Sequence, residues 1–432
     1  MRSYYTPQLN EAFRTSYFLE NRLNGANTRA DIRTLTYETY IANSGVMVLE
    51  GGRIEGGADP DLRRACCYVF ADYLYDHAKD FLTNVYYTPF STERSVLAPG
   101  VTQEIKLAKT QDNQQIAYYL ATVDVTRDDV QICANYNENT GAKWQMARVS
   151  EQVAAAQAKH TNPDDPEHYI ENYNAVVGVN ADFYNMSTGK PSGVLVMEGT
   201  HWNDTPNSSS NYFFAMLKDG TPVIAKNSEW SQYRDRVQEA VGGGALLVKD
   251  GKVNVTSTTN YYNDRASRTA VGITYDGRVV LMVLDGRQLP WSCGGSGIEI
   301  ANIMRDAGCV IALNLDGGGS TTFVAKQEGS DTATVVNRPS DGEERSVSSS
   351  LLVVSTAKPS NEFDHAVVTA DYDYLTPGTE LEIGARGVTV TGGAIDLPEG
   401  AYLRVSDESV GTLDGNVFRM FKVLGLGEEE IQ

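Results

Sequence analysis

The run Asn314-Leu315-Asp316-Gly317-Gly318-Gly319-Ser320 puts a carboxylate, an amide and a hydroxyl around three consecutive glycines. Successive glycines cost conformational entropy, so a chain keeps them where the backbone takes positive φ or comes close to a ligand. Successive free N–H groups in such a loop suit a phosphate or a hydroxyl-rich ring. A plain tight turn is the other reading. Common glycine-rich motifs do not fit. No Gly-Lys-Ser/Thr follows, as a P-loop requires, and Thr321-Thr322-Phe323-Val324-Ala325 reads as strand where a dinucleotide fingerprint needs helix. EF-hand spacing is absent. Without a Gly-x-Ser-x-Gly elbow, Ser320 reads as a polar contact rather than an acyl-transfer nucleophile.

Three further stretches carry arginine beside small or acidic residues: Arg268-Thr269, Asp285-Gly286-Arg287, and Asn337-Arg338-Pro339-Ser340-Asp341-Gly342-Glu343-Glu344-Arg345. Guanidinium groups hold phosphate through paired hydrogen bonds, although each stretch alone also reads as a solvated charged turn. Asp182, Asp285 and Asp316 offer oxygen ligands on which a divalent cation could converge, but no spacing requires one. The cysteines Cys66, Cys67, Cys133, Cys293 and Cys309 form no CxxC pair, and the five histidines show no HExxH pattern.

The elements that must position these groups are legible in the middle of the chain. Val279-Val280-Leu281-Met282-Val283-Leu284 is a fully apolar strand ending at Asp285. Gly294-Gly295-Ser296-Gly297 leads into a helix pattern that Gly308 closes as a C-cap glycine. Val310-Ile311-Ala312-Leu313-Asn314-Leu315 is a second buried strand. Strand, helix and strand suggest a βαβ crossover with two parallel strands, whose carboxyl ends gather functional groups. Ala175-Val176-Val177-Gly178-Val179 delivers Asn180 and Asp182 in the same manner, while Ile116–Val123 and Val130–Cys133 read as strands and 150–159 as a short helix.

The expected fold class is α+β. A mixed-sheet enzyme domain occupies 95–356, a mostly helical segment 1–94, and a β-sandwich-like, Ig-like accessory module 357–432. In the first segment, Asp59-Pro60-Asp61 starts a helix whose stripe from Leu62 to His77 reads as a packed face. The last module ends at Glu428-Glu429-Glu430-Ile431-Gln432 after too few strands to close a sandwich, so it reads as incomplete.

Lys and Arg number 36 against 56 Asp and Glu, a formal charge of −20. This acidity disfavours a nucleic-acid partner, and a phosphate-bearing substrate would need a local basic pocket. No stretch approaches the roughly 20 apolar residues of a membrane span. The start Met1-Arg2-Ser3-Tyr4-Tyr5-Thr6-Pro7 shows no signal-peptide profile, so the expectation is either no export by that route or an incomplete chain.

Taken together, the sequence resembles the phosphodiester glycosidase family, of uncovering-enzyme type and bacterial form. The resemblance rests on Asn180-Ala181-Asp182-Phe183-Tyr184, Arg268–Gly272, Asp285-Gly286-Arg287, Ser296–Ala301, Ala312–Thr321, Val336–Asp341 and Arg345–Ser348, in family order. It implies hydrolysis of a sugar's anomeric bond to phosphate in a phosphodiester-linked glycan or sugar-1-phosphodiester, giving free sugar and a phosphomonoester. A phosphomonoester leaves easily, its second ionisation lying near pKa ~6, so charge stabilisation can take over much of a general acid's work. On this reading Asp316 is base or nucleophile, Glu299 the second carboxylate and Asp182 the reserve. Arg268, Arg287, Arg338 and Arg345 share the phosphate. Asn180, Asn314, Gly317, Gly318, Gly319 and Ser320 hold sugar hydroxyls, with Asp285 and Asn337 also lining the site. Glu299 reads equally as a charge favoured at a helix N-terminus. No cofactor is required, a divalent cation is compatible, and oligomeric state is open. Family habit points to an extracellular or cell-envelope setting. Two other readings stay open: a metal-assisted phosphodiesterase cutting the P–O bond, and a non-catalytic cell-surface carbohydrate-binding protein.

Overall fold

A computed structural model describes residues 47–49, 52–54, 86–136, 144–207, 210–256, 263–370 and 377–420. The helix expected from Asp59 to His77 lies outside these residues. The elements that position the site are, in chain order, β1 (Gln115–Val123), β2 (Val130–Tyr136), α1 (Val149–His160), β3 (Asn174–Asn180), β4 (Val237–Gly243), β5 (Leu246–Lys249), β6 (Arg268–Thr274), β7 (Val279–Leu284), α2 (Gly297–Asp306), β8 (Cys309–Asn314), β9 (Phe323–Lys326) and β10 (Ser349–Ser355).

An eight-stranded sheet has the central order β5-β8-β6-β7-β1, and a five-stranded sheet contains β9-β3-β10-β2 in that order. A further five-stranded sheet includes β4 between strands 212–217 and 195–197. The β7 sequence follows from what covers it. Val279, Leu281 and Val283 join the core shared by the sheets, while Val280, Met282 and Leu284 pack with Ile300, Ala301, Ile303 and Met304 of α2. With both faces buried, alternation disappears and the strand reads as continuous apolar residues. Each such side chain contributes about 1.5–3 kcal/mol.

That same run misleads on topology. Strands β7 and β8 do not pair with each other; each pairs antiparallel with β6, which lies between them. The expected crossover is therefore split by an inserted strand, and the sheet is not mixed: every pairing among the described residues is antiparallel. Burial on both faces, rather than parallel pairing, removes the alternation. The α2 helix forms as expected, with Ser296 at its N-cap and Gly308 beyond its end at φ +91°.

The inserted strand gathers the chemistry. Register pairs Arg268 with Leu284 and Ala270 with Asn314, so the start of β6 lies beside the ends of β7 and β8. In the second sheet, Asn180 at the end of β3 faces Ser350 near the start of β10. Strand Tyr87–Ala98 runs across residue 95, so the β-rich part is already under way before that position. Beyond 356, the described residues form one five-stranded sheet, and a second sandwich layer is not among them.

Candidate active site

Asn180 joins the two sheet ends. Its Oδ1 accepts from Thr269 Oγ1 at 2.7 Å and from the Thr322 N–H at 3.2 Å, while its Nδ2 donates to the Asp316 carbonyl at 2.8 Å. The Asp316 N–H adds a bond to the Ala181 carbonyl at 2.9 Å. The Asn180 amide is thus engaged within the protein, and its place is under the loop rather than against a sugar hydroxyl.

The triple-glycine loop is a short 3-10 turn over Gly318–Ser320, with Gly318 at φ +64°. Its amides are mostly engaged. Gly317 N–H donates to Asp316 Oδ1 at 2.9 Å, Gly318 to the Ser267 carbonyl at 2.8 Å, and Thr321 to the Gly318 carbonyl at 3.1 Å. Ser320 N–H reaches the Gly317 carbonyl at 3.4 Å. Only the Gly319 N–H has no partner among the described residues. The expected row of free donors is corrected to one, because the turn satisfies the others internally.

Two carboxyl groups stand at this junction. Burial pushes Asp316 up to about 6, against the Ser320 hydroxyl, the Gly317 N–H and the Arg345 charge. Asp182 is 2% exposed. Burial, with a smaller push from the Asp316 charge, raises it to about 8 against the opposing Gly193, Phe183 and Ser192 amides. Its Oδ2 accepts from the Gly193 N–H at 2.5 Å, and its Oδ1 is buried without a partner. Two carboxyls moved to opposite sides of neutrality are the pattern expected of an acid–base pair.

Glycines make the Asp182 seat. A Cβ on Gly242 would lie 2.5 Å from Gly193 Cα and 2.7 Å from Asp182 Oδ2, and one on Gly244 would meet the Phe183 ring at 3.0 Å. Gly242-Gly243-Gly244 is a second triple-glycine run, at the end of β4 and just beyond. The sequence reading missed it, although its entropy signal equals that of the first. Tyr184, in the Asn180–Tyr184 run, also lies at this junction. Its hydroxyl donates to the Ser346 carbonyl at 3.0 Å, and burial raises its pKa, with Ser320, Asp316, Arg345 and Asp341 acting on it as well.

The four arginines separate into different roles. Arg268 donates to the Gly295 carbonyl at 3.1 Å and the Asp264 carbonyl at 2.7 Å. Arg345 pairs through Nε and a terminal nitrogen with Asp341 Oδ2, at 3.0 and 2.6 Å. The Arg338 guanidinium lies 3.8 Å from the centre of the Trp291 ring. Arg287 holds φ +62°, unusual for a long side chain, and its guanidinium lies 3.5 Å from where a Gly318 Cβ would stand. No hydrogen bond or ion pair engages the Arg287 side chain among the described residues.

Asp285 and Asn337 form a scaffold beside the loop. Asp285 is fully buried and accepts from Tyr119, Trp291, Asn337 and the Arg338 N–H at 2.9–3.2 Å. Burial raises its pKa against these donors. Asn337 also accepts the Phe323 N–H at 2.7 Å. With Asp285 so occupied, Asp182, Asp285 and Asp316 do not converge: among the described residues, no group of three or more His, Cys, Asp or Glu is arranged to hold a metal. Asn314 donates to the Leu315 carbonyl at 2.8 Å, but its buried Oδ1 has no partner and remains an open acceptor.

Glu299 is engaged at the start of α2. Its Oε2 accepts from the Ser296 N–H, the Ser296 hydroxyl and Arg265 at 2.8–2.9 Å. This is a capping box completed by an ion pair, and it corrects the second-carboxylate assignment: the group is consumed in starting α2. Glu299→Ala should destabilise the fold by about 1–3 kcal/mol while kcat stays near its parent value. Urea unfolding alongside turnover checks this; native stability with lost turnover would return Glu299 to the chemistry.

Residues 173–354 match the family model described as phosphodiester glycosidase. The chain's relatives include the mouse N-acetylglucosamine-1-phosphodiester alpha-N-acetylglucosaminidase, 29% identical over 182 residues, covering 38% of this chain and 33% of the mouse protein. An uncharacterised prophage-derived protein of Bacillus subtilis is 28% identical over 188 residues, covering 41% of this chain and 28% of that one. The chain thus spans about a third of the length of the curated relatives it matches. The zebrafish N-acetylglucosamine-1-phosphodiester alpha-N-acetylglucosaminidase catalytic domain, auto-inhibited by its pro-peptide, has 18% identity and a TM-score of 0.46, covering 62% of this chain and 88% of that domain. Among the described residues no helix is long and apolar enough to cross a membrane.

Proposed function

We propose that the domain hydrolyses the glycosidic bond of a sugar-1-phosphodiester, releasing free sugar and a phosphomonoester. The observation that carries this reading is the pair of buried carboxyls, Asp316 at about 6 and Asp182 at about 8, beside a cationic edge. Near neutral pH, Asp316 is ionised and Asp182 protonated. Asp316 then either takes a proton from the water that attacks the anomeric carbon, or attacks that carbon itself to form a glycosyl ester that water afterwards hydrolyses to free sugar and the regenerated carboxylate. The C1–O bond breaks and its electron pair leaves with the phosphate. Arg287, the Gly319 N–H and Arg345 stabilise that developing charge, and the Asp182 proton is available to the departing oxygen. The open Oδ1 acceptor of Asn314 suits a sugar hydroxyl.

Hydrolysis of a chromogenic sugar-1-phosphodiester in heavy-oxygen water tests the bond cleaved. Label is expected in the sugar; label in the phosphate would replace this reading with P–O cleavage. The pH dependence of kcat/KM follows from the two groups. Activity rises as Asp316 loses its proton near 6 and falls as Asp182 loses its own near 8, giving a bell with its maximum between them. A profile flat through both limbs would remove the pair from the mechanism.

A further inference from the structure

The Asp341–Arg345 pair lies directly on the triple-glycine loop. A Cβ on Gly319 would stand 2.1 Å from an Arg345 terminal nitrogen and 2.2 Å from Asp341 Oδ2. The carboxylate thus lies against the residue whose N–H is unpaired, and against the arginine whose charge reaches Asp316. The other carboxylates of this segment are committed elsewhere. Glu343 pairs with Arg148 at 3.0 Å, and Glu344 accepts from Ser150 N–H at 3.1 Å and Ser150 Oγ at 2.5 Å, at the start of α1. Ala147 and Val347 exchange backbone hydrogen bonds of 3.1 and 2.8 Å. These contacts fix the segment carrying Arg345 independently of Asp341.

We propose that Asp341 is a built-in anion that occupies Arg345 until a phosphate group takes its place. The residue thereby sets how strongly the site holds phosphate. This rests on the phosphodiester reading above and deepens it. Both Arg345 nitrogens share the single oxygen Oδ2, and the side chains are 32% and 38% exposed. An exposed pair of this kind stabilises a protein by only about 0–1 kcal/mol, whereas a phosphate offers the same guanidinium two oxygens in a paired, charge-assisted arrangement. Exchange therefore costs little and returns more. It leaves the Asp341 carboxylate free to turn into solvent and the Gly319 N–H able to meet a phosphate oxygen.

The test uses inorganic phosphate as probe, measured by calorimetry and as a competitive inhibitor of diester hydrolysis. Asp341→Asn should bind phosphate about 3–5-fold more tightly, the equivalent of losing a competing pair worth up to ~1 kcal/mol. Asp341→Ser should do the same. In an Arg345→Ala background the Asp341 substitution should change nothing, since the effect acts through that guanidinium. Phosphate binding that is unchanged or weaker in both Asp341 variants, in an enzyme that still cleaves the diester, overturns the proposal alone. So does an equal gain without Arg345, which would reduce Asp341 to general repulsion. Failure of every form to bind phosphate or cleave the diester overturns the phosphodiester reading with it.

Discussion

Asp316→Asn should lower kcat on a sugar-1-phosphodiester by roughly 10²–10⁴-fold, the range for losing a positioned proton-transfer group. The protein should nevertheless be as stable as its parent, or more so. Burial raises the Asp316 carboxyl from 3.8 to about 6. For a group raised in this way, the folded state favours the protonated form. Its contribution is therefore full below the unfolded value and lost as pH climbs to about 6. At neutral pH the parent carries an ionised carboxylate that burial disfavours, and an amide removes that cost. The Asn180–Asp316 carbonyl bond and the Asp316 N–H bond to Ala181 involve backbone and survive the change. Turnover and thermal unfolding on the same sample are the check. Full turnover in a folded Asp316→Asn protein would end the assignment.

Gly242→Ala should be nearly inactive and also less stable by about 1–3 kcal/mol, the usual range for overpacking. One methyl group would meet the Gly193 backbone at 2.5 Å and the Asp182 carboxylate at 2.7 Å, with Ser210 Oγ at 2.8 Å. Backbone cannot swing aside as a long side chain does, so the strand or the Asp182 seat must shift. Gly193→Ala meets the same neighbours from the opposite side and should behave alike. Chemical denaturation with parallel activity assays measures both effects. An active, fully stable Gly242→Ala protein would show that Asp182 does not depend on this close contact.

Much of this site is readable from residue types alone, and the exceptions have physical causes. Asp316, Asp182 and the glycine loop lie at strand ends, where local patterns are strong. Glu299 has an unambiguous local pattern as well, Ser-x-x-Glu ahead of an apolar helix, and the structure favours that reading over chemistry. The Asn180 clamp was not legible, because its partners Thr269 and Thr322 are distant in sequence. The same holds for Asp285, whose donors come from Tyr119, Trp291, Asn337 and Arg338. Strand adjacency failed for a different reason. An apolar run reports how many faces are covered and carries no information about which neighbour supplies the hydrogen bonds.

The insertion of β6 between β7 and β8 also bears on how the protein reaches its native state. The groups around the loop come from residues 180–184, 268, 285–287, 314–320 and 337–345; only Arg268 and 285–287 meet through a local hairpin, and the rest through pairings distant along the chain. Such pairings close large loops before they return any stabilisation, so they form slowly and late. On this topology a nascent chain released before β10 lacks the partner of both β2 and β3. Its site stays unformed however much of β7 and α2 has already collapsed. Recovery of activity after dilution from denaturant should accordingly trail the recovery of helical signal.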